Sequence, residues 1–262
     1  MSVKVEVGKA VDTGLVRRQN EDSILTTELT LSAGDGTSFG LYAVADGMGG
    51  LEAGEVASDL ALRVLADSVT RGLLLPQAQG ELSVLDEAFL SRTLLYALKV
   101  ANGWVHAQSQ DKGIVMGTTL AGALIVNDRA YIFNVGDSRV YLLEGKHLRQ
   151  VTKDHSLVAE LVAAGKITPE DIYTHPQRNI ITRCLGTHDS VEVDLFVERL
   201  KSGMSLLICS DGLWEMVRDD EMKNTLLKAD KPQAACDQLV RKANENGGVD
   251  NISVIIVRMR ES

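Results

Sequence analysis

Apolar runs of strand length are the feature that most constrains the fold of this chain. They are rich in Val, Ile and Leu and fall at residues 41–45, 119–126, 130–135, 191–197, 206–209 and 252–257. Several are joined by short polar turns, and residues 126–129 have the pattern of a hairpin. Because strands joined by tight turns pair antiparallel, the runs predict antiparallel sheets.

Four amphipathic stretches predict helices. One begins at Glu52 and places Ala53, Ala57 and Leu60 on one face, and the others span about 85–105, 219–227 and 232–244. The predicted order along the chain is therefore strands, two helices, a run of strands, two more helices and a last strand. This order is not a βαβ alternation, and it predicts an α+β fold in which helices pack outside stacked antiparallel sheets. We expect residues 1–262 to form a single domain.

The segment 153–189 does not fit the sheet pattern. It is polar, it contains Pro169 and Pro176, and it carries three of the five histidines. We expect an excursion of about 35 residues from the sheets, and excursions of that size are usually lids or binding elements. The default interpretation of its histidines, His155, His175 and His188, is a surface or helix-capping role.

Charge and cysteine usage exclude several classes of protein. The net charge of −9 argues against nucleic acid or an anionic membrane as a partner. No run approaches the roughly 18 apolar residues of a membrane span. The three cysteines are scattered without CxxC spacing, which indicates a reducing cytoplasm. The five histidines lack the spacing of a zinc site.

Acidic residues recur at the ends of the predicted strands, beside glycine or asparagine. The segments are 20–22, 46–50, 136–139, 210–212 and 250–251. Glycine lets the backbone approach a ligand and exposes a carbonyl to a cation. Hard divalent cations require oxygen ligands. Five such segments in one chain predict a shared acidic metal site.

Each segment alone also has an ordinary structural interpretation. An Asp-Gly pair at a strand end is a turn signal. Glu21 and Asp22 could be a solvated pair, and residues 250–251 could form an Asx-turn. Asp137 could cap its turn and pair with Arg139.

Taken together, the motifs match a known family. Segments 14–22, 44–50, 116–119, 135–139, 209–213 and 249–253 appear in the family's order and span nearly the whole chain. On these residues the sequence resembles the type 2C metal-dependent Ser/Thr protein phosphatases, the PPM family, in their short bacterial form. The resemblance implies a four-layer α-β-β-α sandwich with two central antiparallel sheets, and a flap at about 153–189.

The resemblance also implies a binuclear Mn²⁺ or Mg²⁺ centre. Asp46 would bridge the two tightly bound metals, and the carbonyl of Gly47 would help to hold one of them. Asp211 and Asp250 would hold the other.

Further site residues follow from the same resemblance. Asp22 would act through metal-bound water, with Glu21 close by. Asp137, together with Asp211, would hold a weaker third metal. Arg17 would bind the substrate phosphate through its bidentate guanidinium, whereas Arg18 would lie on the surface.

The implied activity is hydrolysis of phosphoserine and phosphothreonine in proteins by a metal-activated water, without a covalent intermediate. A cognate Ser/Thr kinase is the expected counterpart. Larger eukaryotic members have a histidine after the Asp-Gly pair, and this chain has Met48 there, so another group must protonate the leaving oxygen.

Three rival functions remain in view. A phosphatase of the same fold could act on anti-sigma-antagonist proteins, but those enzymes usually carry sensor domains, which this sequence lacks. A non-catalytic binding module would have lost one or more acids, and all of them are present here. A calcium-binding structural domain would not need Arg17, and no EF-hand loop occurs.

Overall fold

A computed structural model describes residues 3–31, 37–49, 53–82 and 85–261. Two antiparallel sheets form its centre. The first has the order β1 (Val3–Asp12), β11 (Ile252–Glu261), β10 (Ser205–Cys209), β7 (Arg139–Glu144) and β8 (His147–Gln150). The second has the order β2 (Asp22–Thr30), β3 (Ser38–Gly49), β5 (Leu120–Val126), β6 (Arg129–Val135) and β9 (Asp194–Arg199), and β4 (Met116–Thr118) pairs with the end of β3.

Helices cover the outer faces of both sheets. Against the second sheet lie α1 (Ala53–Val69) and α3 (Glu87–Lys112), linked by a π-helical turn (Thr70–Leu74) and the short α2 (Leu75–Ala78). Against the first sheet lie α5 (Asp211–Trp214), α6 (Asp219–Lys228) and α7 (Pro232–Glu245). The predicted four-layer α-β-β-α sandwich is therefore confirmed.

The strands appear in the sequence as continuous apolar runs because both of their faces are buried. In β10, Leu206 and Ile208 point into the layer between the sheets. The alternate residues Leu207 and Cys209 face the helices. The same alternation in β5 sends Ala123 toward the other sheet and its neighbour Leu124 toward α1 and α3.

The strands β1 and β2 were not predicted, nor was the short β4, and one strand was misplaced. β1 and β2 each form one edge of their sheet, and their exposed faces carry polar residues that interrupt any apolar run. The run at 191–197 is also wrong in extent, because the pairing with β6 covers Asp194–Arg199. Val191 and Val193 instead pack, partly buried, against the core beneath α1 and α3.

Turn and helix ends follow local chemistry. The hairpin at 126–129 is confirmed: Val126 pairs with Arg129, and Asn127 adopts φ +55°. The second predicted helix extends beyond residue 105 to Lys112, where Gly113 ends it with φ +64°. The first predicted helix begins at Ala53, and its predicted first residue, Glu52, lies outside the described residues.

The segment 153–189 leaves the sheets after β8 and returns before β9. It contains α4 (Leu157–Ala163) and a 3₁₀ turn (Pro169–Tyr173), and we call residues 153–189 the flap. None of the helices in the described ranges is long and apolar enough to cross a membrane.

Candidate metal centre

The acidic segments meet at one end of the sandwich. Asp22 begins β2 and stands opposite Asp46 in the β2–β3 ladder. Asp211 lies two residues after the end of β10, and Asp250 lies two residues before the start of β11, the strand that pairs with β10. Asp137 lies in the connection from β6 to β7, where the chain passes from one sheet to the other.

A serine hydroxyl joins the two sheets inside this cluster. Ser210 Oγ donates a hydrogen bond of 2.7 Å to Asp22 Oδ2 and accepts one of 3.0 Å from the backbone N–H of Ser253. The position of Asp22 relative to Asp211 is thereby fixed through Ser210, which precedes Asp211 in the chain. Sequence reasoning did not single out Ser210, because its partner lies 188 residues away.

The acids share one electrostatic environment. Loss of hydration raises the pKa of Asp46 well above its ordinary value, and the carboxylates of Asp22, Asp211, Asp137 and Asp250 raise it further. A carboxyl that resists ionisation because it is surrounded by other acids is a group that a cation would stabilise.

The pKa values of three further carboxyls in the cluster are raised as well. Burial raises the pKa of Asp22 to about 6, although the Ser210 hydroxyl opposes the shift. Burial also raises the pKa of Asp137 to about 7, with repulsion from Asp154 as the next contribution. The pKa of Asp211 is raised well above its ordinary value by burial and then by Asp137.

Unpartnered oxygens give an independent test of whether these residues fit a metal. Oδ1 of Asp22, of Asp137 and of Asp211 is buried without a hydrogen-bond partner among the described residues. Buried polar atoms are normally satisfied, and divalent cations are bound by such carboxylate oxygens. Within the described residues no three His, Cys, Asp or Glu side chains already form a ligand set for an ion. The three unpartnered oxygens are donors of the kind that a divalent cation requires.

The backbones of Gly47 and Gly54 approach each other so closely that neither position has room for a side chain. A Cβ on Gly47 would lie 2.0 Å from the carbonyl oxygen of Gly54. A Cβ on Gly54 would lie 2.8 Å from the Gly47 carbonyl oxygen and 2.7 Å from Cδ of Glu21. The Glu21 carboxylate and the Gly47 carbonyl therefore meet at the start of α1. The sequence did not reveal Gly54, and Gly50 of the predicted motif lies outside the described residues.

Arg17 reaches the same acids from an exposed loop. Its Nη2 lies 2.7 Å from Oδ2 of Asp250, and half of its side chain remains exposed to solvent. Arg18 is also exposed. The structure thus brings Arg17 to the acidic cluster, as the sequence predicts.

One amide side chain holds the loop that carries Arg17. Asn251 Oδ1 accepts a 2.8 Å hydrogen bond from the backbone N–H of Glu21. Its Nδ2 donates to the carbonyl of Thr13 at 3.0 Å and to that of Gln19 at 2.9 Å. Asn251 lies in the predicted acidic segment 250–251, but the sequence did not assign it this role in holding the loop.

The alternative role weighed for Asp137 and the expected surface position of His155 are both wrong. Arg139 pairs with Asp154, at 2.6 Å, so Asp137 has no ion pair with it. The guanidinium of Arg139 also lies 3.5 Å from the centre of the Trp214 ring. His155 is not a surface histidine but is 8% exposed, and its ring accepts a hydrogen bond from the backbone N–H of Gly136.

The flap contacts α5 beside Asp211. Arg178 lies 3.4 Å from the carboxylate of Glu215. Tyr173 stacks edge-on against Trp214, with ring centres 6.1 Å apart, and Arg218 covers the Tyr173 ring at 3.2 Å. The flap is therefore packed against the element that begins with Asp211.

Comparisons with known proteins agree with this geometry. A family model described as protein phosphatase 2C matches residues 19–246. The serine/threonine phosphatase stp of Listeria monocytogenes is 40% identical over 246 residues, which are 94% of this chain and 92% of that protein. The crystal structure of the serine/threonine phosphatase PstP/Ppp of Mycobacterium tuberculosis superposes with a TM-score of 0.83 at 35% identity, covering 99% of this chain and 100% of that one. The catalytic domain of a phosphatase PstP, crystallised with two manganese ions, gives a TM-score of 0.81 at 33% identity over the full length of both chains.

Proposed function

The chain belongs to the protein phosphatase 2C family, and on that premise we propose that it removes phosphate from serine and threonine side chains of other proteins with the help of Mn²⁺ or Mg²⁺. The observation that carries the proposal is the convergence of Asp22, Asp46, Asp137, Asp211 and Asp250 at one end of the sandwich. The three unpartnered oxygens in this cluster support it.

Four groups are the proposed ligands of the two tightly bound metal ions. Asp46, the carbonyl of Gly47, Asp211 and Asp250 would hold the two cations between them, with Asp46 as the acid common to both. This assignment is supported by the close approach of Gly54 to Gly47, which excludes side chains from the corner. When bound, two such cations lower the pKa of water and neutralise charge on a transferring phosphoryl group.

The remaining acids take supporting parts in the proposal. Asp22 and Glu21 act through water, and the hydrogen bond from Ser210 keeps one oxygen of Asp22 fixed. Asp137 and Asp211 would together hold a weaker third ion, and each has a buried oxygen without a partner among the described residues.

Arg17 binds the phosphate of the substrate in this proposal. A guanidinium presents parallel N–H donors that match two phosphate oxygens. The half-exposed side chain of Arg17 is accessible to a protein-bound phosphate. Met48 has no proton to donate, so the leaving oxygen of serine takes its proton from another group in the pocket.

The proposed substrates are cytoplasmic phosphoproteins, and the enzyme would reverse the action of a bacterial Ser/Thr kinase. Support comes from the relatives, whose names describe bacterial serine/threonine phosphatases. The flap, which packs beside Asp211 through Tyr173, would contact the protein part of the substrate.

A direct assay tests the proposed function. Release of phosphate from an aryl phosphate and from a phosphoserine peptide is measured after chelation and again after addition of Mn²⁺. We expect no turnover in chelator, recovery with Mn²⁺, and none in the Asp46→Asn variant. Asp67→Asn is the matched control, because Asp67 is exposed near the end of α1 and pairs with Arg71 in the π-helical turn that follows. Full activity of Asp46→Asn would refute the binuclear assignment, and peptide binding without phosphate release by the wild type would indicate a binding module.

A further inference from the structure

His155 holds both backbone groups of the residue that precedes Asp137. Its backbone N–H donates to the Gly136 carbonyl at 2.9 Å, and its ring Nδ1 accepts from the Gly136 N–H at 3.0 Å. Gly136 has φ +107°, and a Cβ there would lie 2.7 Å from Cβ of Thr119. The turn is therefore confined to one conformation by contacts on both sides.

The residues before His155 reinforce the same turn. Asn134 Nδ2 donates to the carbonyl of Lys153 at 2.8 Å, and Asp154 pairs with Arg139. The first three residues of the flap therefore contact the end of β6, the connection that follows it and the start of β7. Only the contact made by His155 reaches the residue directly bonded to Asp137.

The far end of the flap also meets His155. The N–H of Thr182 donates to the His155 carbonyl at 2.9 Å. Nε2 of the ring lies 3.0 Å from Nη1 of Arg183, which also belongs to the far end of the flap. Nε2 lies 3.4 Å from Oδ2 of Asp194, and Arg183 donates to the other oxygen of that carboxylate at 3.0 Å. The two ends of the flap are thus joined at one buried ring.

Asp137 is held on its other side by an element that also contacts the flap. Trp214 Nε1 donates to the Asp137 carbonyl at 3.0 Å, and the Trp214 ring packs against Tyr173 of the flap. A movement of the flap would therefore act on the Asp137 backbone from both directions.

From this geometry we infer that His155 is a positioning residue that sets the carboxylate of Asp137 relative to the flap, through its hydrogen bond from Gly136. The inference rests on the proposed function, in which Asp137 takes part in turnover. Removing the ring leaves the buried Gly136 N–H without its acceptor, so the turn shifts to find another. Displacement of a catalytic group by about 1 Å can cost about a hundredfold in rate.

Three substitutions separate the contacts of the ring. His155→Asn keeps an acceptor near the position of Nδ1, His155→Gln keeps polar atoms near that of Nε2, and His155→Ala keeps neither. On a phosphoserine peptide we expect kcat about tenfold lower or worse in the Ala and Gln variants, with KM little changed, and substantial rescue in the Asn variant. His147→Ala is the control, since His147 is exposed at the start of β8 and lies outside the flap. Rescue by Gln but not by Asn would overturn the inference, because the contacts of Nε2 with Arg183 and Asp194 would then be the important ones.

Two further measurements exclude a merely structural effect. Amide exchange in residues 134–139 should accelerate in His155→Ala and His155→Gln but stay near wild type in His155→Asn. In an Asp137→Ala background, His155→Ala should lower kcat no further, because both changes disable the same group. Additive losses would overturn the positioning role while leaving the proposed function intact. Wild-type kcat in Asp137→Ala alone would instead remove Asp137 from the proposed function, and the inference with it.

Discussion

Arg17 Nη2 lies 2.7 Å from Asp250 Oδ2, so the proposed phosphate-binding side chain is paired with a proposed metal ligand. The pair is partly exposed, with 50% and 28% of the two side chains accessible. Ion pairs at such positions contribute only about 0–1 kcal/mol. Arg17 can therefore leave Asp250 for a substrate phosphate at little cost.

The first prediction concerns Arg17. Arg17→Ala should raise KM for phosphate esters by about tenfold or more, since one charge-assisted contact contributes about 1.5–3 kcal/mol. Mn²⁺ affinity, measured by calorimetry without substrate, should not fall comparably, because the substitution frees Asp250 Oδ2. Arg18→Ala is the control. A KM defect in Arg18→Ala but not in Arg17→Ala would show that Arg18, not Arg17, contacts the phosphate.

The second prediction links stability to pH and metal. The folded-state pKa values of about 6 for Asp22 and about 7 for Asp137 lie above the ordinary unfolded value of about 3.9. Without metal the native state therefore binds more protons than the unfolded state between about pH 4 and 7, and stability falls as pH rises through that window. In chelator, the free energy of unfolding should drop by at least about 2 kcal/mol from pH 5 to pH 8.

Bound Mn²⁺ should abolish that slope, because a cation stabilises the ionised acids. Urea unfolding at both pH values, with and without Mn²⁺, measures this pH dependence of the free energy of unfolding. Asp137→Asn removes one of the titrating groups and should flatten the slope in chelator. A slope of opposite sign in the metal-free protein would contradict the raised pKa values.

The strands were predictable where both of their faces are buried. Strands such as β5 and β10 are covered on both faces, so their sequences are uninterrupted apolar runs that turns separate cleanly. The edge strands β1 and β2 lack one neighbour, and their polar faces obscured them. The flap could be recognised by its composition, but its packing on Trp214 could not.

The site was predictable where a residue acts through its own chemistry. The acids and Arg17 follow from motifs, since carboxylates and guanidinium suit metals and phosphate. Residues that act through geometry were missed. Ser210 meets Asp22 across 188 residues, and Asn251 meets Glu21 across 230. No local pattern encodes such pairings in a single sequence.

The third prediction concerns Asn251, which holds the Arg17 loop by three hydrogen bonds. Asn251→Ala leaves the carbonyls of Thr13 and Gln19 without this donor, and each lost bond of this kind costs about 1–3 kcal/mol. We expect faster amide exchange in residues 13–21 and a raised KM for phosphate. Asn246→Ala is the control, because Asn246 donates to the Met216 carbonyl near the surface. Equal changes in both variants would show that Asn251 has no special role in the loop.

The fourth prediction concerns the flap. Tyr173 is enclosed by Arg218 and Trp214, and Arg178 approaches Glu215, so these side chains hold the flap at the site. Changes in residues 167–178, such as Arg178→Ala, should alter kcat/KM on a phosphoprotein more than on a small aryl phosphate. Lys166→Ala, at an exposed position just before this range, provides the comparison. Equal effects on both substrates would mark the segment as scaffold.

The last prediction concerns Asp137, which is buried, has no ion pair with Arg139 and keeps one oxygen unpartnered among the described residues. These features disfavour the simple turn-capping role and leave the carboxylate available to a cation shared with Asp211. A site with one carboxylate from each side and otherwise water should bind weakly. Asp137→Ala should therefore retain two tight Mn²⁺ sites, lose a weaker one in calorimetric titration, and lower kcat. The loss should be larger for a phosphoserine peptide than for an aryl phosphate, because the alkyl leaving group needs a proton and the aryl group does not. Unchanged kcat on the peptide would leave Asp137 as a structural residue of the β6–β7 connection.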